Sequence, residues 1–176
     1  MAGTTFRSST LVRICTASTS HQPPYEVYWR GVRRRSFRCW LETFDRIDRR
    51  SDSDIIAIQV FQHGTEGDVG QYFTKVAAVL RDEGFFFLRV NSCSTEMFHR
   101  HTLIERNEHG GFTIRYEDGP KRGLPVHFYA RDELLAKGAR DFELVSGPRE
   151  DVTKRAPPKT GSWAQWEVVW RRRRRV

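Results

Sequence analysis

The sequence predicts an α/β fold carrying part of a mostly parallel sheet, and three observations lead there. An apolar, β-branched run, Ile55–Phe61, reads as a buried strand. A helical pattern follows it, and then a second apolar run, Phe85–Val90. Strand, helix and strand within roughly forty residues make a βαβ unit, which prefers parallel strands and a right-handed crossover. Third, in Trp163–Trp170 the residues Trp166, Val168 and Trp170 alternate on one face, as a strand requires.

The elements follow in order from about Ser51. Gln62-His63-Gly64 and Gly67 mark a loop after the first run. Tyr72, Phe73, Val76, Val79 and Leu80 recur at helical spacing, and Glu83-Gly84 is the expected helix stop. The polar stretch Glu96–Glu108 predicts no element. Phe112–Tyr116 alternates as a short strand, Glu117-Asp118-Gly119-Pro120 turns, and Val126–Tyr129 is extended. Arg131–Lys137 reads as a short helix closed by Gly138, with Ala130 a poor N-cap. Phe142–Val145 is another strand, and Pro148 and Pro157-Pro158 punctuate a long loop.

Residues 1–50 differ in character. They hold ten arginines, no lysine and no acid before Glu26, so an irregular Arg-rich leader is expected. Only Phe37, Trp40, Leu41, Phe44 and Ile47 suggest a helix face there, and the clear amphipathic helix of a transit peptide is lacking. The net charge is +8, and five of those charges come from Arg171–Arg175. Such runs meet phosphates in nucleic-acid binders, but no nucleic-acid motif accompanies them, and a solvated basic tail is the expected reading. No stretch approaches the roughly 20 apolar residues of a membrane span. Three cysteines, Cys15, Cys39 and Cys93, are an odd count without Cys-x-x-Cys spacing, which suits a reducing, cytoplasmic location. Cys93, His99 and His101 lack a fourth ligand at a recognised spacing, so no metal is expected.

Taken together, Asp54–Gly64, Tyr72–Val90 and Trp163–Arg171 resemble consecutive pieces of a bacterial, small-molecule class I S-adenosylmethionine-dependent methyltransferase. Gly110–Gly123 and Val126–Leu135 resemble that family's substrate-side insertion and last helix. The resemblance covers about residues 51–171 and leaves 172–176 as a basic tail. It implies a partial Rossmann-like methyltransferase fold: strands 4, 5, 6 and 7 of a sheet ordered 3-2-1-4-5-7-6, with their helices, after an irregular N-terminal segment. It also implies S-adenosylmethionine as methyl donor and a small-molecule methyl acceptor. The family's donor site needs a glycine-rich turn after strand 1. Before Gly64 the chain has only Gly3 and Gly31, so the donor cradle is expected to be missing, and the protein to be truncated or degenerate.

The end of strand 4 lies at the carboxyl edge of the sheet, where α/β proteins bind ligands. The resemblance therefore assigns Gln59, Phe61 and Gln62 to the donor. It assigns His63 as a base on an acceptor hydroxyl or amine, since an ordinary imidazole titrates near neutrality. His127 and Tyr129 are expected at the acceptor, whereas Trp163, Trp166 and Trp170 are expected to pack. An alternative belongs to another class: a non-catalytic interaction protein that self-associates through an open strand-4 edge or uses its Arg segments, on nucleic acid among other partners.

Overall fold

The computed structural model describes Val12–Cys15 and residues 52–174, with side chains from Asp54 onward. In chain order the described elements are β1 (Val12–Cys15), β2 (Asp52–Ile58), α1 (Glu66–Val79), β3 (Leu80–Asn91) and β4 (His101–Arg106). They continue as β5 (Phe112–Tyr116), β6 (Pro125–Phe128), α2 (Arg131–Ala139), β7 (Phe142–Lys154) and β8 (Ser162–Arg172). The main sheet is ordered β1-β2-β3-β8-β7. β1, β2 and β3 are parallel, and β8 runs antiparallel between β3 and β7.

The order expected for strands 4, 5, 7 and 6 is thus carried by β2, β3, β8 and β7. β1 is an addition, standing beside β2 where strand 1 of the family sheet would stand. Four residues are too few to show a period, which is why the sequence did not reveal it. β1 pairs β2 from Val12↔Asp54 to Cys15↔Ala57, so the β2 edge expected to be open is covered over that length. The helix face expected over Phe37–Ile47 lies outside the described residues.

β2 stops at Ile58, short of the expected Phe61, because Gln59 takes φ 58° and breaks the extended run. Helix α1 then starts on a capping box. Thr65 N donates to Asp68 Oδ2 at 2.8 Å, and Asp68 N donates to Thr65 Oγ1 at 3.4 Å. Such caps stabilise a helix by about 1 kcal/mol. Val69, Phe73, Val76 and Ala77 form its buried face. The helix ends at Val79, not at Gly84, and Leu80 is already extended. The bend falls later, inside β3, where Glu83 takes φ 64° and the register with β2 shifts. Asp54 Oδ1 accepts from Phe85 N at 3.1 Å and fixes where regular pairing resumes.

Both helices contribute to one aromatic-rich core against the sheet. Phe86 stacks on Trp170 at 5.6 Å between ring centroids, and Phe73 meets Phe86 edge-on at 6.0 Å. Gly138 of α2 allows the approach to Trp170, since a Cβ there would lie 2.8 Å from the indole nitrogen. As expected, Ala130 supplies no side-chain cap to α2.

Two expectations at the end of the chain are corrected. β7 is much longer than Phe142–Val145, and Pro148 lies within it. Pro148 falls in the register break between Ser146 and Arg149 of an edge strand, where a missing N–H is tolerated. The C-terminal arginines are also not simply a solvated tail. Arg172 ends β8 and is buried, donating to the carbonyls of Ala77 at 3.1 Å and Asp141 at 2.5 Å. Arg171 pairs with Glu143 at 2.6 Å.

β4, β5 and β6 form a separate antiparallel sheet, and β4 arises from the stretch read as structureless. This small sheet is tied to the carboxyl ends of β2 and β3. Gly64 N donates to Pro125 O at 3.1 Å, His127 N to Gln62 O at 2.7 Å, and Tyr129 N to Asn91 O at 2.9 Å. Those ties hold the insertion over the sheet edge and make a cleft beneath it.

Candidate functional site

The cleft has a volume of about 530 Å³, within the range of small-molecule sites. Its floor is the carboxyl edge of the main sheet: Gln59 follows β2, Asn91 ends β3, and Trp163 begins the antiparallel β8. Trp163 Nε1 donates to Asn91 Oδ1 at 3.2 Å, which fixes the indole against that edge. Tyr116, Lys121 and Phe128 come from the small sheet and its β5–β6 turn, and Arg155 comes from the loop before β8.

The electrostatics of this cleft are set by burial and by cations. Burial pushes the Lys121 ammonium below its ordinary value. Burial raises the Tyr116 phenol, and the Arg155 charge works against that rise. His63 is not among the residues that line the cleft, but it lies within electrostatic reach of Lys121. Burial and then repulsion from Lys121 lower its pKa, while a hydrogen bond to the Gln59 backbone opposes them. The imidazole is therefore neutral at neutral pH, the state a base needs.

This arrangement gives a pH prediction. His63 will titrate below 6.5, and Lys121→Met will move it upward by removing one of the two depressing causes. An NMR pH titration of the imidazole resonances checks both, and a value at or above 6.5 in the wild type would sink the assignment. The linkage sign follows. A folded-state value below the unfolded one gives stability that is fully present above about pH 6.5 and lost as pH falls through the folded value. His63→Gln should therefore flatten the stability profile in that acid window.

The other sequence-chosen residues divide by burial. Gln59 lines the cleft, and its positive φ marks a strained position of the kind that clusters at ligand sites. Phe61 is 0% exposed and belongs to the core, against Tyr72, Phe73 and Phe86. Gln62 is also buried, and its Oε1 accepts from Asn91 N at 3.0 Å. Both hold the edge in place from beneath and do not line the cleft.

His127 and Tyr129 are equally buried. His127 bridges Thr113 Oγ1 and Glu133 Oε1, each at 2.8 Å, and its ring meets Tyr129 edge-on at 4.6 Å. The Tyr129 hydroxyl donates to the Phe61 carbonyl, so both residues brace the insertion. Among the tryptophans, Trp170 is core and Trp166 Nε1 donates to Tyr129 O at 2.9 Å, whereas Trp163 faces the cleft. Lys121, Arg155, Asn91 and Tyr116 were not anticipated. No local pattern marks them; only the docking of the insertion brings them together.

The described residues contain no group of three or more His, Cys, Asp or Glu able to hold a metal ion. His99 Nδ1 instead lies 2.8 Å from Asp118, and His101 Nδ1 contacts the His99 carbonyl at 2.9 Å. No described helix is long and apolar enough to cross a membrane.

No family model and no curated protein matches this chain. Solved structures do. The Burkholderia thailandensis 1,6-didemethyltoxoflavin-N1-methyltransferase, solved with 1,6-didemethyltoxoflavin and S-adenosylhomocysteine, aligns over 78% of this chain and 52% of its own, with TM-score 0.51 and 16% identity. A SAM-dependent methyltransferase from Methanosarcina mazei aligns over 80% of this chain and 69% of its own, with TM-score 0.50 and 12% identity. TehB from Haemophilus influenzae aligns over 78% of this chain and 42% of its own, with TM-score 0.50 and 9% identity. This chain therefore spans about half the length of the first and less than half of the third. Identities this low speak for the fold alone.

Proposed function

From a chain whose fold is that of class I S-adenosylmethionine-dependent methyltransferases, we propose a function derived from methyl transfer to a small molecule, with the acceptor side retained and donor binding weak in this chain. The observation that carries this reading is the cleft where Gln59, Asn91 and Trp163 converge at the carboxyl ends of β2 and β3 and the amino end of β8. Ligands of open α/β sheets bind at that edge.

The residues present do not fit the donor. β1 stands in the place of strand 1, but Thr16, Ala17 and Ser18 follow it instead of a glycine turn. The cleft lining includes Lys121, Arg155 and Lys159 and no carboxylate, which disfavours a cationic sulfonium and leaves no acid for a ribose diol.

On the acceptor side, this reading gives Gln59 to the cleft floor and His63 to the role of base, accepting a proton from an acceptor hydroxyl or amine. The buried Phe61, Gln62, His127 and Tyr129 act as supports. A cytoplasmic location belongs to the same proposal and is supported by the free Cys93, whose thiol burial pushes up to about 12.

Isothermal titration of the full chain with S-adenosylmethionine and with S-adenosylhomocysteine tests it. The expected result is no binding in the micromolar range, and micromolar binding of either would overturn the weak-donor reading. Two observations weigh against the interaction alternative. Val12–Cys15 pairs the edge it relied on, and Arg171, Arg172 and Arg174 have acidic partners in Glu143, Asp141 and Glu83.

A further inference from the structure

We propose that the cleft at the sheet edge binds a planar organic acid, with its carboxylate at Lys121 and Arg155 and its ring against Trp163 and Tyr116. This deepens the acceptor reading above and rests on it. The argument begins with charge. The residues that line the cleft include three cations and no carboxylate. Lys121 is half-buried, and burial alone perturbs it, with no acid acting in the other direction. Arg155 donates to two backbone carbonyls, Thr160 O at 3.0 Å and Glu96 O at 2.6 Å, which holds it in place, and the Glu96 carboxylate stands near it across Gly161, so Lys121 is the cation of the cleft left without an acid.

A half-buried cation without a counter-ion is costly for a fold to keep. Two other arginines flanking the main sheet have carboxylate partners. Arg89 meets Asp151 at 2.7 Å and Arg149 meets Glu167 at 2.7 Å. The cleft is where pairing is left to a ligand. Its other walls are aromatic: Tyr116, Phe128 and Trp163. Flat rings select flat partners through offset or edge-to-face contact. A carboxylate at one end and a conjugated ring at the other match these two features together, whereas a bare inorganic anion matches only the first.

The test uses the full chain and three probes: 4-hydroxybenzoate, its uncharged isostere 4-hydroxybenzamide, and inorganic phosphate. Binding is followed by the Trp163 indole N–H resonance, assigned with Trp163→Phe, and by calorimetry. 4-Hydroxybenzoate should saturate in the millimolar range or below, at least about tenfold tighter than the amide, the size expected for hydrogen bonds to a charged group. Lys121→Met should remove that difference, and Lys121→Arg should retain most of it, with far-UV circular dichroism unchanged in both.

Equal binding of acid and amide, an unaffected Lys121→Met variant, or no saturable binding of the acid would overturn the proposal. Phosphate competing as well as the acid would overturn the aromatic half and leave an anion site only. Incubation with S-adenosylmethionine on the same sample separates the two readings. Acid that binds here but accepts no methyl group agrees with the weak-donor reading and leaves the cleft proposal standing, whereas methyl transfer to the acid at micromolar donor overturns the weak-donor reading alone. Methyl transfer to a neutral acceptor without acid binding counts against the cleft proposal alone.

Discussion

Replacing His127 by alanine will destabilise the protein by about 3–5 kcal/mol, the cost of leaving the buried Glu133 carboxylate without its hydrogen-bond partner. Glu133 is 0% exposed on an otherwise apolar helix face, and its Oε1 lies 2.8 Å from His127 Nε2 and 3.3 Å from Lys137 Nζ. Burial pushes the Glu133 carboxyl up. The His127 hydrogen bond, the charge of His127 and that of Lys137 together outweigh it and leave the carboxyl below its ordinary value. Without the imidazole, the interior carboxylate keeps Lys137 and Asn107 near it but loses its closest partner, and Thr113 Oγ1 loses its partner as well.

Glu133→Gln should be milder, about 1–3 kcal/mol, because an acceptor for His127 is kept while the charge is removed. Urea unfolding measured at constant m-value gives both numbers. A loss below about 1 kcal/mol for His127→Ala would show that the pair is not buried as described. The same network explains Gly111, where a Cβ would lie 1.9 Å from Glu133 Oε2.

That pair also shows what the sequence conveys and what it hides. His127 drew notice as a chemically versatile residue beside an insertion. Its partner six residues on, Glu133, looks like an ordinary surface acid in the first turn of a helix, and only the docking of β6 against α2 makes it interior. Long apolar runs were legible because their signal is local. β2, the buried face of α1, β3 and the alternation of β8 each follow from periodicity within a dozen residues.

β1 and β4 were not legible, because a four-residue strand and a polar hairpin arm take their conformation from partners far along the chain. The length of β7 was hidden by Pro148, which usually breaks strands but is accommodated at a bulge. Arg172 was hidden for a related reason: a run of like charges reads as solvated until its partners Ala77, Asp141 and Phe142 are known. In the site, Gln59 was found because a strand end can be located from sequence. Lys121 and Arg155 were not, since they reach the same cleft from two separate turns.

The residues after Ile58 show how a single backbone torsion decides which side chains serve the ligand and which serve the core. Along a continuing strand, Gln59 and Phe61 would share one face. The left-handed φ at Gln59 ends that parity, so Gln59 stays at the cleft while Phe61 turns inward. Phe61→Ala should therefore cost about 3–5 kcal/mol, as for a fully buried aromatic side chain. Its ring lies 5.2 Å from Tyr72, 5.8 Å from Phe73 and 5.4 Å from Phe86, centroid to centroid, so truncation opens a cavity at the meeting point of α1, β3 and the strand end.

Gln59→Ala should stay within about 0.5 kcal/mol of wild type in stability, the usual range for a side chain without core contacts. It should act instead on binding of 4-hydroxybenzoate. Paired chemical-denaturation and titration curves for the two variants decide the matter. A Phe61→Ala protein that keeps its stability but loses the ligand would put the ring in the cleft, and would return to it the donor-side role suggested by its place two residues past Gln59.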